Sequence, residues 1–295
     1  MRLIVTGRDG QVARALMAEA PALGVILIPL GRPELDLLHP TGLDALFAAH
    51  RPDGIINAAA YTAVDQAEND YDAALAVNGA GAGAVATAAA ALNIPIIQLS
   101  TDYVFDGTKP TPYIENDPVA PINAYGRSKL AGERSVIDAT PNHAILRTSW
   151  VYAATGKNFV LTMLRLAADR SSVTVVSDQR GAPSYAPDIA RAVLDVARNL
   201  ATRPDDALLR GIFHMTGGGE TSWAEFATEI FRQSAARGGP SAAVTPVPTS
   251  AFPTPARRPA NSRLDCGRLK TVHGVALPDW RDGLGRCMDT IWAHR

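Results

Sequence analysis

Apolar and polar positions in the first half of the chain follow two alternating patterns. Short, continuously apolar runs occur at Leu3–Thr6, Val25–Leu30, Gly54–Ala58, Ile94–Ser100 (interrupted by Pro95) and Ala144–Ser149. Between them lie segments of helical character, at Gln11–Glu19, Leu43–His50, Asp70–Leu92 and Ala124–Asp138. A strand that is apolar along its whole length is buried on both faces, which is the condition of a parallel sheet covered by helices. The pattern therefore predicts an α/β fold built on a doubly wound parallel sheet, with a smaller C-terminal α/β region. The second half is less regular. Phe159–Ala168, Pro187–Asn199 and Ser222–Ala236 read as helices, and Val173–Val176 as an extra strand of the C-terminal region. Gln233–Thr249 reads as the most mobile stretch.

Composition narrows the class. Hydrophobic residues make up 47% of the 295 positions and charged residues 19%, the balance of an ordinary folded protein. A net charge of -1 creates no global field for nucleic acid or an anionic membrane, so any anionic ligand must be held by local donors. The two cysteines, Cys266 and Cys287, make neither a disulfide framework nor a zinc pattern, and favour a reducing compartment. The opening apolar run is too short for a secretory segment. Gly79–Ile94 is mostly alanine and glycine and falls short of the roughly 20 strongly apolar residues of a membrane span. A soluble, cytoplasmic protein with no nucleic-acid or membrane partner is expected.

The first strand ends in Gly7-Arg8-Asp9-Gly10-Gln11-Val12-Ala13. Glycine lets the backbone turn sharply and approach a diphosphate, and the following helix offers that anion free N–H groups and the positive end of its dipole. The spacing is Gly-x-x-Gly-x-x-Ala, so on its own it also fits a plain strand-to-helix turn. Coming directly after strand one, it points to a Rossmann-type dinucleotide site. A reader of the ribose 2′-hydroxyl would be an acid at the end of strand two; Leu30-Gly31-Arg32 has none. Arg32 reads either as a partner of a 2′-phosphate or as a solvated loop arginine, so the cofactor is NADPH or NADH. Asp36 is placed to approach the adenine.

Tyr125 and Lys129 share one face at the start of a helix. A cation beside a phenol lowers its pKa, which suits a general acid that protonates a carbonyl oxygen while hydride reaches carbon. Lys129 is also placed to bond the nicotinamide ribose. Tyr-x-x-x-Lys alone is common by chance. Ser100-Thr101-Asp102, at the carboxyl end of the fourth strand, adds a hydroxyl that polarises the same oxygen.

With these residues in place, the sequence resembles the extended short-chain dehydrogenase/reductases, and within them the dTDP-4-dehydrorhamnose reductase family. The shared stretches are TGRDGQV, NAAAYTAVDQAE, STDYVFDG, PINAYGRSKLAGE, RTSWVY, GAPSYA and PTPARRPANSRLD. The resemblance implies NAD(P)H-dependent reduction of the C4 ketone of a dTDP-linked 6-deoxysugar to dTDP-L-rhamnose. It makes Tyr125 the proton donor, Lys129 its partner and Thr101 the polarising hydroxyl, and lines the sugar site with Asp102 and Trp150. It puts the diphosphate on Gly10, Gln11 and Val12, the adenosine between Asp36 and Leu37, and Ala59, Ala60 and Tyr61 on the ribose side. Residues 1–150 are then the NAD(P)-binding domain and 151–295 the substrate-binding region, with more than one crossing of the chain between the two allowed. Some family members bind magnesium through glutamates at a dimer interface; those glutamates have no match here, which leaves magnesium and a homodimer open.

The substrate's diphosphate calls for local cations in a neutral protein. Arg257 and Arg258 suit it, because guanidinium forks match phosphate oxygens, and Lys157-Asn158 is a further candidate; each also reads as a solvated loop residue. Trp150 reads as a sugar platform or a core aromatic. Thr62 and Asp65 read as sugar-hydroxyl partners, Asp65 equally as a helix cap, and His214 as structural. A reductase or epimerase of another nucleotide sugar, or an NADP-binding regulatory subunit of the same family, are the competing readings.

Overall fold

The computed structural model describes residues 1–293. β1 (Arg2–Thr6) leads through the Gly7 turn into α1 (Gln11–Glu19), followed by β2 (Ile26–Leu30), α2 (Leu43–His50) and β3 (Gly54–Asn57). A long helix then runs as α3 (Tyr71–Leu75), a π-helical segment (Ala76–Gly81) and α4 (Ala82–Ala91), before β4 (Ile96–Thr101), α5 (Ala124–Ala139) and β5 (His143–Thr148). Beyond these come β6 (Val151–Tyr152), α6 (Phe159–Asp169), β7 (Ser172–Val176), β8 (Arg180–Gly181), β9 (Ser184–Tyr185) and α7 (Ala186–Thr202). β10 (Gly211–His214), β11 (Thr221–Ser222), α8 (Trp223–Ala235), β12 (Ala243–Val247), α9 (Gly267–His273) and α10 (Trp280–Ala293) complete the described chain.

The central sheet has six strands in the order β10-β5-β4-β3-β1-β2, and every neighbouring pair is parallel. Successive residues of β1 bury opposite faces. Leu3 and Val5 join a core with α1 and α7 (Leu16, Ile189, Val193), whereas Ile4 joins one with α2 and α4 (Phe47, Val85). Two helical layers thus cover the sheet, which makes it the doubly wound architecture the pattern predicts. The chain leaves β1 toward β2 and returns to β3 on the other side. This reversal opens a crevice at the carboxyl ends of β1 and β3, where ligands bind in such sheets.

Tyr71–Ala91 is the one helix among the described residues long and apolar enough to cross a membrane. Its small residues instead admit close packing with α5: a Cβ on Gly132 would stand 2.0 Å from the Asn78 carbonyl oxygen, and one on Gly83 2.9 Å from the Ser135 Cβ.

The second half departs from expectation in two places. β7 pairs in parallel with β12, Ser172 opposite Ala243 through Val176 opposite Val247. That pairing makes a strand of Ala243–Val247, inside the stretch Gln233–Thr249 expected to be mobile, whose first three residues are the end of α8. β10 rejoins the large sheet beside β5, a second crossing of the kind the domain reading allowed. α9 and α10 follow a segment expected to be loop-like; α10 buries Trp280, Leu284, Cys287 and Met288 against α8 in a separate apolar cluster.

Candidate functional site

At the carboxyl ends of β1, β2 and β3 lies a groove of about 500 Å³. Its walls are the Gly7–Gly10 turn, Gly31–Arg32 with Leu35–Leu38, and Ala58–Thr62. Gly7 has φ 77°, and a Cβ there would lie 2.6 Å from the Ala59 Cα, so only glycine fits between β1 and β3. α1 starts at Gly10 with no side-chain cap and no acid in its first turn. Its leading N–H groups are therefore free, and with the helix dipole they form an anion seat facing open space. These features fit the diphosphate of a dinucleotide.

Gly7, Gly10, Arg32, Asp36, Leu37, Ala59, Ala60 and Tyr61 all line this groove, and so does Thr62. Asp36 closes a turn by accepting the Leu38 N–H at 3.0 Å. Tyr61 is clamped on both backbone groups by Asn78, which reaches on to the Ser128 hydroxyl on α5. The side chains of Gln11 and Val12 lie elsewhere. Gln11 accepts from the Asn158 amide at 2.9 Å, and Val12 packs on the core beneath α1. Only their backbone, in the first turn, is positioned for a diphosphate. Arg8, passed over in the sequence, also lines the groove. Its chain lies over Gly31, and its guanidinium pairs with Glu34 at 3.0 Å and donates to the Arg32 carbonyl.

The second half of the site forms where β4 ends. Asn123 caps α5, accepting the Gly126 N–H at 2.7 Å, which places Tyr125 in the first turn. The Thr101 hydroxyl meets the Tyr125 phenol, donates to Asp102 Oδ1 at 3.1 Å and accepts the Tyr103 N–H at 3.2 Å. The Tyr103 ring meets Tyr125 edge-on at 5.8 Å. Lys129 donates to the Leu99 carbonyl at 2.7 Å. Thr101, Asp102, Tyr125 and Lys129 are thus brought together.

The electrostatics overturn one expectation. Burial, joined by the negative charge of Asp102, pushes the Tyr125 phenol up from its ordinary value, not down. Lys129 is directed at a backbone carbonyl, and burial lowers its own pKa to about 8, against a weaker upward pull from Glu133. Tyr125 is thus a phenol held protonated, the form a proton donor requires. Burial also pushes Asp102 up to about 7, opposed by the Ser262 and Thr101 hydroxyls, and its Oδ2 has no hydrogen-bond partner.

On the substrate side, Trp150 has a left-handed backbone (φ 49°) and stacks on Trp223, with centroids 3.6 Å apart and planes 11° apart. A Cβ on Gly181 would lie 2.5 Å from its indole. Half-buried, Trp150 belongs wholly neither to the core nor to the surface. Trp223 edges a second, apolar groove of about 500 Å³, with Val173–Val176, Gln179, Phe252, Thr254 and Arg258. Arg258, not the exposed Arg257, lines it. Arg257 is held through its carbonyl by the Asn123 amide at 2.8 Å. Asp65 is no helix cap, because its carboxylate is taken by Arg258 at 2.8 Å and by the Ala256 N–H at 3.1 Å. Asn158 caps α6 through the Leu161 N–H, and Lys157 beside it is exposed. His214 is fully buried, its pKa pushed down to about 3 by burial and the nearby Arg147 charge. Cys266 and Cys287 are free thiols. Among the described residues no group of three or more His, Cys, Asp or Glu side chains is gathered to hold a metal.

A dinucleotide seat at the switch point of the sheet, beside a protonated phenol and a buried lysine, defines an NAD(P)H-dependent oxidoreductase of the extended short-chain dehydrogenase/reductase class. Comparison narrows this further. The model of the RmlD substrate binding domain matches residues 1–292. The chain is 49% identical over 293 residues to the dTDP-4-dehydrorhamnose reductase of Sinorhizobium fredii (strain NBRC 101917 / NGR234), covering 99% of this chain and 97% of that one. It is 46% identical over 295 residues to the same-named protein of Burkholderia thailandensis, covering 98% of each. A crystal structure of dTDP-4-dehydrorhamnose reductase from Bacillus anthracis, in complex with NADP, matches with a TM-score of 0.90 at 36% identity, covering 98% of this chain and 99% of that one. The chain belongs to the dTDP-4-dehydrorhamnose reductase family.

Proposed function

We propose that this protein reduces the C4 ketone of dTDP-4-dehydro-6-deoxy-L-mannose with NAD(P)H, giving dTDP-L-rhamnose. The observation that carries the reading is the meeting of the Thr101 hydroxyl and the protonated Tyr125 phenol at the carboxyl end of β4. Bound nicotinamide supplies the hydride. Tyr125 gives its phenolic proton to the ketone oxygen, and Thr101 donates a hydrogen bond to the same oxygen. The Lys129 ammonium stabilises the tyrosinate that remains and bonds the cofactor ribose. Asp102 and Trp150 hold the sugar. Arg258, with Arg257 at the rim, is the cationic partner of the sugar's diphosphate, and the apolar groove beside Trp223 takes the thymidine.

Gly7, Gly10 and the first-turn backbone of Gln11 and Val12 seat the cofactor diphosphate. Asp36 and Leu37 flank the adenosine, Ala59, Ala60 and Tyr61 the ribose, and Arg8 and Arg32 attract a 2′-phosphate, which makes NADPH the preferred of the two cofactors. Residues 1–150 form the NAD(P)-binding domain and 151–295 the substrate-binding region, except that β10 returns to the large sheet. The enzyme works in the cytoplasm on soluble sugar nucleotides, with a homodimer as the assembly to test by light scattering. The deciding assay follows oxidation of NADPH and NADH with dTDP-4-dehydrorhamnose and identifies the product. Formation of dTDP-L-rhamnose with either cofactor is expected. No turnover, or turnover only of other nucleotide sugars, overturns the reading.

A further inference from the structure

We infer that Glu133, fixed by Arg147 and Ser100, is the positioning residue that holds Lys129 as an ammonium under Tyr125. The inference rests on the reductase reading above. Tyr125, Lys129 and Glu133 recur at four-residue intervals along one face of α5. Each meets one of three consecutive residues of β4. The Lys129 ammonium donates to the Leu99 carbonyl at 2.7 Å, the Ser100 hydroxyl donates to Glu133 Oε1 at 2.5 Å, and the Thr101 hydroxyl meets the Tyr125 phenol. The helix is thus read against the strand residue by residue, and Glu133 is its one carboxyl group in that register.

Arg147 completes the arrangement from β5, where it stands opposite Ser100 in the sheet. It forks onto Glu133 with Nε at 2.9 Å and Nη2 at 2.6 Å, and both side chains are only 2% exposed. Its guanidinium lies over the Phe105 ring at 5.1 Å, and its Nη1 has no partner. A buried ion pair gains little or nothing in stability over an apolar pair of the same size. Stability therefore gives no reason for charge at this place, whereas a lysine that must stay protonated in a buried site does.

The charged and titratable groups around Lys129 are few. α5 contributes Tyr125 and Glu133, the turn after β4 contributes Asp102 and Tyr103, and β5 contributes Arg147. On α3, which also packs on α5, Tyr71 lies under Arg127, and Asp70 just before it is taken by the Tyr61 hydroxyl; the turn Gln66–Glu68 contributes Glu68, which is taken by the Ala124 N–H at 2.7 Å at the start of α5. Of these, Glu133 is the one whose charge supports the ammonium against burial.

The test is the pH profile of kcat in the full-length enzyme with NADPH and dTDP-4-dehydrorhamnose. Glu133→Gln keeps the size of the side chain and removes its charge. Its alkaline limb should move about 1 unit toward acid, the low end of the shift an adjacent opposite charge produces. At pH 8, where the wild-type limb is half-way down, kcat should fall about fivefold, with the KM for the sugar within twofold. Because Glu133→Gln leaves Arg147 buried and unpaired, the double variant Glu133→Gln/Arg147→Met is measured beside it. It should recover thermal stability and still show the acid-shifted limb. A wild-type limb in the double variant, or restoration of kcat along with stability, overturns the inference and leaves the pair merely structural. Tyr125→Phe serves as the separate control. If it keeps full turnover, the reductase reading itself fails, whatever Glu133 does.

Discussion

Charges around the cofactor groove stand in solvent, while those around the reacting ketone's seat are buried. At the groove, the Arg8 and Glu34 side chains are 35% and 53% exposed, and Arg32 is exposed as well. Pairs of this kind are worth about 0–1 kcal/mol and fade with salt. At the end of β4, Asp102, Lys129, Glu133 and Arg147 are all buried. Burial there moves Lys129 down to about 8 and Asp102 up to about 7. The groove can therefore be retuned one charge at a time, whereas the reaction centre responds to any change in charge or packing.

The largest effect belongs to Tyr125→Phe. It removes the phenolic hydroxyl proposed as the proton donor and leaves the ring packed edge-on against Tyr103. Turnover should fall by roughly 10² to 10⁴-fold, the usual share of general acid catalysis. The dissociation constant of NADPH, measured by fluorescence quenching, should stay near that of the wild type. A variant with near-normal kcat would remove Tyr125 from the chemistry.

Gly126→Ala presses on packing instead of charge. Alanine at an exposed helical site gains about 1 kcal/mol over glycine. Here its Cβ would stand 2.2 Å from the Tyr103 carbonyl oxygen and 3.0 Å from Pro121. The backbone oxygen cannot yield, so the first turn of α5 must move, at a cost of about 1–3 kcal/mol. Tyr125 moves with it, and a displacement near 1 Å can reduce rate 10²-fold. The expected result is a lower Tm together with a kcat loss of 10- to 100-fold. A raised Tm with full activity would mean that the start of α5 is looser than the close approach implies.

Asp102 gives the pH test of burial. Its folded pKa, about 7, lies above the ordinary carboxyl value near 3.8. A carboxyl raised in this way contributes stability that is complete below about pH 4 and is lost as the pH climbs through 7. Asp102→Asn stays neutral throughout. Its Tm should therefore gain on the wild type between pH 5 and 8, by roughly 2–4 °C for each kcal/mol involved. Parallel Tm curves over that range would show that the carboxylate is already ionised, and would break the contrast at the reaction centre.

How much of this was legible in the sequence follows the same division. The glycine turn, β1 to β5 and the helices between them are local features of apolar period and turn residues. The groove could be read from them because its lining comes straight after strand ends. The stripe Tyr125–Lys129–Glu133 was also on the page, but its third member stayed silent without knowledge that Arg147 and Ser100 face it. What could not be read depends on distant partners. β12 is a strand only because β7 lies beside it. Asp65 reads as a cap until Arg258, 193 residues away, takes its carboxylate. α10 has the right apolar spacing at Trp280, Leu284, Cys287 and Ile291, but Gly283 and Gly285 interrupt it. The Tyr125 phenol was expected to be acidified by Lys129. Spacing gave the shared helical face correctly; it gave no account of burial, which decides the sign.

The smallest effect is expected at the mouth of the groove. Arg32, the proposed partner of a 2′-phosphate, lines the groove, exposed and without an ion pair of its own among the described residues. Its neighbour Arg8 is already drawn to Glu34 and to the Arg32 carbonyl. Arg32→Ala should thus cost no more than about 1 kcal/mol of NADPH binding, a fivefold rise in KM at most. The KM for NADH, which lacks the phosphate, should not change. Raising the salt concentration should shrink the difference between variant and wild type, because the Debye length falls from about 10 Å at 0.1 M to about 3 Å at 1 M. An equal loss for both cofactors would assign Arg32 to the shape of the turn. A loss of a hundredfold would mean that the groove closes over the cofactor and buries the contact, and the two ends of the site would then no longer differ.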